Sequence, residues 1–284
     1  MTVYLNGQFL PITEAKISVL DRGFIFGDGV YEVIPVYSRH IFRLQEHLQR
    51  LSRSLDSIKL ASPYTDAEWT RIIDELVMRN EPQDQYLYLH ITRGVAKRDH
   101  AFPNPPVPPT VFLMSNPLNT PSAAQLQNGI SAITAPDNRW LRCDIKAISL
   151  LPNVLLRQMA VDAGCAETIM IRNNEFLTEG SSSNIFVVKN GTLLAPPKDN
   201  LMLPGITYDV VLELAATNEI PHQVRKVLLN EVLNADELLL TSSTKEVLAI
   251  TSLDAKQIGT GKPGPMFAQL HKLYQKFKRE VMRA

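Results

Sequence analysis

Apolar runs with a period of two and helical stripes with a period of about 3.6 follow one another along this chain without strict strand–helix–strand alternation. That succession restricts the fold more than any other feature. It predicts an α+β architecture rather than a doubly wound parallel sheet. Val3-Tyr4-Leu5 and Gln8-Phe9-Leu10 flank Asn6-Gly7, the pattern of two strands joined by a two-residue turn. Val30 to Tyr37 reads as a strand, in which Pro35 argues for an edge or a bulge. Leu44, Leu48, Leu51 and Leu55 share one helical face, and Asp66 to Met78 reads as a second helix capped by Thr65 or Asp66. Strands at 86–93 and 110–115 enclose AFPNPPVPP, too rich in proline for a regular element and long enough to be a functional loop. The second half predicts strands near 130–134, 167–172, 184–188 and 237–241, with helices near 152–163, 207–219 and 265–281.

A chain of 284 residues is long enough for two domains. The composition shift at NPLNTPSAA marks the boundary, giving a smaller domain over 1–117, a linker over 118–123 and a larger domain over 124–284. Lys+Arg and Asp+Glu both total 29, which removes the basic footprint of a nucleic-acid binder. No apolar run approaches the roughly 18 residues of a membrane span. The first residues lack the basic stretch and apolar core of a secretory signal. With only Cys143 and Cys165 available, the chain is no disulfide scaffold, and a soluble cytoplasmic protein is expected. The six histidines have no metal-binding spacing, and a GxSxG elbow is absent.

Several short segments could carry chemistry. Lys146 lies in RCDIKAISLLPNVLL, where no charge follows it until Arg157. An apolar setting favours the neutral amine that imine chemistry needs, although a lysine snorkelling at a strand end fits the segment as well. Glu179, in LTEGSSSNIFVV, could hold a ring nitrogen in its protonated form or be an exposed turn glutamate. Leu203-Pro204-Gly205-Ile206-Thr207 opens a helix whose free N–H groups suit a phosphate, or Thr207 is a plain cap. Thr241-Ser242-Ser243-Thr244 offers a second hydroxyl-rich turn. Arg98 and His100, two apart in AKRDHAF, project to one face of an extended segment and could grip a carboxylate.

Taken together and in order, DRGFIFGDGVYEV, HLQRL, TRGVAKRDHAFP, RWLRCDIKAISLLPNVL, TEGSSSNIF, LPGITYDVV and DELLLTSSTKEV resemble the fold-type IV pyridoxal-phosphate enzymes, above all their D-amino-acid transaminase branch. The resemblance covers nearly the whole chain. It implies a two-domain fold with pyridoxal 5'-phosphate at the domain interface and transamination between D-amino acids and 2-oxo acids. It further implies that Lys146 forms the Schiff base and shuttles the proton, and that Glu179 pairs with the pyridine nitrogen. Arg50, Ile206, Thr207 and Ser243 would bind the phosphate. Tyr31, Val33, Arg98 and His100 would bind substrate, Arg98 and His100 reaching in from the neighbouring subunit of a homodimer. An L-branched-chain aminotransferase and an aminodeoxychorismate lyase are the alternatives within the family, and a non-catalytic α+β binding protein the alternative outside it. Tyr208 stands where the family usually has arginine, and Pro35 is unexpected in the strand that carries Tyr31.

Overall fold

A computed structural model describes residues 1–283, which form two compact units. The first takes Met1–Asn119, Ile145–Leu150 and the end of the chain from Met282; the second takes Thr120–Asp144 and Leu151–Val281.

In the first unit, β1 (Thr2–Leu5) turns into β2 (Gln8–Pro11) through Asn6 and Gly7, whose φ angles of 47° and 95° are the positive values such a turn needs. Helix α1 (Arg22–Phe26) is capped by the Asp21 carboxylate and ended by Gly27 in the left-handed region. Next come β3 (Gly29–Tyr37), β4 (His40–Ile41), α2 (Leu44–Ser57), α3 (Asp66–Met78), β5 (Gln85–Thr92) and β6 (Thr110–Pro117). The cap of α3 is Thr65, which exchanges hydrogen bonds with Glu68 in a capping box. The sheet is antiparallel in the order β2-β1-β6-β5-β3-β4. Leu48, Leu51 and Leu55 of α2 and Trp69, Ile73 and Leu76 of α3 pack on Val30, Ile34, Leu87 and Leu89.

Of the edge or bulge expected at Pro35, the edge is what forms. Strand β3 pairs with β5 in unbroken register from Gly29↔Thr92 to Val36↔Gln85. On its other side β4 covers only Val36 and Tyr37. Pro35 therefore sits at an edge there, where its missing N–H disrupts no ladder.

The second unit contains α4 (Ala123–Asn128), β7 (Ile130–Pro136), α5 (Leu151–Asp162), β8 (Glu167–Arg172), β9 (Phe176–Gly180), β10 (Asn184–Lys189) and β11 (Thr192–Ala195). It continues with α6 (Ile206–Thr217), β12 (His222–Val224), α7 (Leu229–Leu233), β13 (Glu237–Ser242), β14 (Glu246–Leu253), β15 (Lys256–Gln257) and α8 (Pro265–Phe277). The strands form one mixed sheet in the order β12-β11-β10-β13-β14-β7-β8-β9, with β15 paired to β14. Ile169, Ile185, Val187, Leu238, Leu240 and Ile250 fill its core. Helices α6 and α8 pack together and against β13 and β14. Glu237 caps α8 by accepting from the N–H groups of Met266 and Phe267. The mixture of helices and strands is α+β, as the element order implies. Among the described residues no helix is long and apolar enough to cross a membrane.

Candidate active site

Lys146 belongs to the first unit. Its carbonyl accepts from the Tyr31 N–H at 3.0 Å, and Val30 and Ala147 form an antiparallel bridge. The Ser54 hydroxyl of α2 accepts from the Lys146 N–H at 3.2 Å. These contacts lay the segment along β3 and leave the lysine only 9% exposed, its Nζ 4.2 Å from the centre of the Tyr31 ring. Val33 shares the half-buried face of β3 with Tyr31.

The opposite face of β3 carries Glu32, a residue that the sequence reading passed over. Arg50 donates to it through Nε and Nη2, each at 2.7 Å, and His47 Nδ1 lies 2.8 Å away. Burial pushes the Glu32 carboxyl up, but the Arg50 charge and these hydrogen bonds outweigh it and hold the group far below the usual carboxylate range. Burial lowers His47, so its imidazole is neutral near pH 7. Arg50 is thus fixed by a buried carboxylate. The signal in the sequence is a glutamate at the inward phase of a strand, between Val30 and Ile34.

Arg98 and His100 lie exposed on the loop after β5. Both face Phe26: the Arg98 guanidinium is 5.4 Å from the ring centre and the His100 ring 5.2 Å. Arg22 pins this loop by donating to the carbonyls of Asp99 and Ala101 at 2.6 and 3.2 Å.

In the second unit Glu179 ends a chain of buried groups. Asp137 accepts from Arg139 Nε and Nη2, each at 3.0 Å, and from the Thr178 hydroxyl at 2.7 Å. Arg139 Nη1 donates onward to Glu179 Oε1 at 2.6 Å. The other carboxylate oxygen accepts from the Leu203 N–H at 3.3 Å. Burial pushes the Glu179 carboxyl up to about 7 although Arg139 pulls it down. A cationic partner would shift that balance to the carboxylate. The sequence analysis assigns no role to Asp137 or Arg139, although Arg139 opens the stretch RWLRCDIKAISLLPNVL.

Asn184 connects Glu179 to the start of α6. Its Nδ2 donates to the Leu203 carbonyl at 3.0 Å, and it pairs across the sheet with Thr241. A Cβ on Gly205 would come 2.1 Å from Asn184 Oδ1, so only glycine allows this approach. Among the described residues no side chain caps α6, and Ile206 and Thr207 are both buried. Among the described residues the buried Thr241 hydroxyl has no hydrogen-bond partner. Ser243 follows in the half-exposed turn after β13. Tyr208 points into the core, stacked on Phe186 at 4.9 Å and donating to the Pro196 carbonyl at 2.7 Å. It takes no part in the polar cluster.

A buried carboxylate, an uncapped helix start and an orphaned hydroxyl suit a ligand that is cationic at one end and anionic at the other. Pyridoxal 5'-phosphate, with a protonated ring nitrogen and a phosphate ester, is such a ligand.

The chain belongs to the class IV aminotransferase family, whose pattern matches residues 29–253. It is a pyridoxal-phosphate enzyme that exchanges an amino group between an amino acid and a 2-oxo acid. Among curated relatives, the D-alanine aminotransferase of Bacillus licheniformis is 43% identical, covering 94% of this chain and 93% of its own. That of Staphylococcus haemolyticus is 39% identical over 97% of both chains. Among solved structures, the T.th. branched-chain amino acid aminotransferase with pyridoxamine 5'-phosphate superposes with a TM-score of 0.91 at 27% identity, covering 100% of this chain and 95% of that one. The branched-chain enzyme of Escherichia coli gives 0.89 at 26% identity, covering 100% and 95%.

Proposed function

We propose that this aminotransferase acts on D-amino acids, with D-alanine and D-glutamate as donors and 2-oxoglutarate and pyruvate as acceptors, by a ping-pong mechanism. One observation carries the choice over the branched-chain alternative. The D-alanine aminotransferases match at 39% and 43% identity over nearly the full chain, whereas the branched-chain structures match at 26% and 27%.

In this proposal Lys146 bears the cofactor and moves the proton at the substrate Cα. Glu179, oriented by Arg139, keeps a proton on the ring nitrogen. Arg50, Thr207, Ser243 and the backbone at Ile206 hold the phosphate. Bound pyridoxal phosphate supplies an aldehyde and an electron-withdrawing ring, which loosen the Cα–H bond and store the amino group between the two halves. Tyr31, Val33 and the partner subunit's Arg98 and His100 bind the substrate. The carboxylate grip decides which enantiomer turns its Cα–H toward Lys146.

We further propose a cytoplasmic homodimer. Both cysteines are free, as expected of a reducing compartment. Leu151, Val154 and Leu155 form an exposed apolar stripe on α5, and Val19, Phe24 and Phe102 are exposed on the first unit.

The deciding experiment compares half-reactions of the purified enzyme with D-alanine, D-glutamate, L-leucine and L-valine, followed by the absorbance of the cofactor. The D-enantiomers should react fast. Good turnover of L-leucine or L-valine with inert D-alanine would replace this assignment by the branched-chain one.

A further inference from the structure

Glu167, the first residue of β8, is fully buried and takes no part in the chemistry proposed above. Its carboxylate accepts from several donors. Oε1 takes the N–H groups of Thr168 at 2.9 Å and Ser181 at 3.0 Å, together with the Ser181 hydroxyl. Oε2 takes the Ser183 hydroxyl at 2.8 Å and Lys245 Nζ at 3.2 Å. One buried anion thereby ties the serine turn that follows Glu179 to the turn between β13 and β14. Burial alone would raise this carboxyl, but Lys245 and the serine hydroxyls hold it below its ordinary range, so it is ionised at neutral pH.

The two tied segments are shaped to meet it. A Cβ on Gly180 would lie 2.3 Å from the Ser183 hydroxyl, so glycine is what lets that serine turn back. The Lys245 N–H donates to the Ser242 hydroxyl at 3.0 Å and closes the turn that carries Ser243. Among the described residues one side-chain bond, from Lys245 to Glu167, joins that turn to the carboxylate.

We propose that Glu167 is a positioning residue for the phosphate end of the cofactor site, holding the Ser242–Lys245 turn in place through Lys245. The proposal rests on the assignment of Ser243 to the phosphate. A purely structural ion pair would stabilise the unit without distinguishing one ligand from another. A positioning pair acts on the phosphate alone.

The test measures equilibrium binding of pyridoxal phosphate and of phosphate-free pyridoxal to the full-length protein. Wild type, Glu167→Gln, Lys245→Met and Lys245→Arg are compared, with thermal melts alongside. The preference for the phosphorylated ligand should fall about tenfold or more, the equivalent of about 1.4 kcal/mol, in Glu167→Gln and Lys245→Met. Pyridoxal binding should hold steady, and Lys245→Arg should recover most of the loss. In the double variant the two losses should not add. Equal weakening toward both ligands, or none, overturns the proposal. A wild type that shows no preference for the phosphorylated ligand overturns the phosphate assignment beneath it. Should Glu167→Gln fail to fold, Lys245→Met decides, since the lysine side chain is 31% exposed and the carboxylate keeps its serine and backbone donors.

Discussion

The amine of Lys146 rests over an aromatic face, and among the described residues it has no ion pair. Tyr31 can stabilise the ammonium through its ring without fixing it in a strong pair, which leaves the amine available for covalent chemistry. Lys146→Ala should abolish steady turnover and covalent cofactor attachment. Borohydride reduction followed by peptide mapping checks it, and label on another lysine would refute the assignment. Glu179 is a different kind of residue, because its charge depends on what it faces. Unit charges 4 Å apart at an effective dielectric of 20 attract by about 4 kcal/mol, so Glu179→Gln should retain cofactor yet slow proton removal on the order of 100-fold or more. Stopped-flow absorbance with D-alanine gives the rate.

At the scale of elements, β3 and α2 share a buried polar pair whose protonation sets their acid tolerance. His47 is lowered by burial, so below about pH 6.5 the unfolded chain binds a proton that the folded one does not. Stability is therefore complete above that pH and is lost on acidification, by up to about 1.4 kcal/mol per pH unit. Glu32, also depressed, adds a second loss below about pH 4. Thermal melts taken from pH 8 down to about pH 2 should show both phases, and His47→Asn, which cannot titrate, should flatten the first. Elements of this kind were legible to different degrees. The hairpin, α2 and α3 could be read because their apolar residues are spaced by the period of the element. Strand β14 could not, since EVLAITSL is apolar almost throughout and buried on both faces, which erases the alternation. The segments that carry Lys146 and Glu179 were legible from their resemblance to a family. Asp137 and Arg139 behind Glu179, and Glu32 and His47 beside Arg50, were not, because buried pairing is a property of tertiary neighbours and ordinary polar residues supply it.

For the molecule as a whole, the position of Arg98 and His100 matters most. Both are exposed and lean on Phe26, at the end of a loop fixed by Arg22. If the partner subunit draws on them, activity depends on assembly. Arg98→Ala should lower kcat/KM for D-alanine at least roughly thirty-fold, the loss of a charge-assisted contact of about 2 kcal/mol, and lower it less for an amine without a carboxylate. Steady-state kinetics with the two donors makes the comparison, and equal losses would remove Arg98 from the carboxylate grip.

The short segment Ile145–Leu150 belongs with the first unit, although the residues on both sides of it belong to the second. It backs β3 through Tyr31 and Val30, and Ile145 enters the core beneath. During synthesis, then, a ribosome that has released the first 119 residues has not yet delivered a complete first unit. The six strands of its sheet are then all present, but the strip that bridges Val30 and adds Ile145 to the core is still to come. An expressed fragment ending at the unit boundary would lack both a flank of its own core and the lysine to which we assign the cofactor.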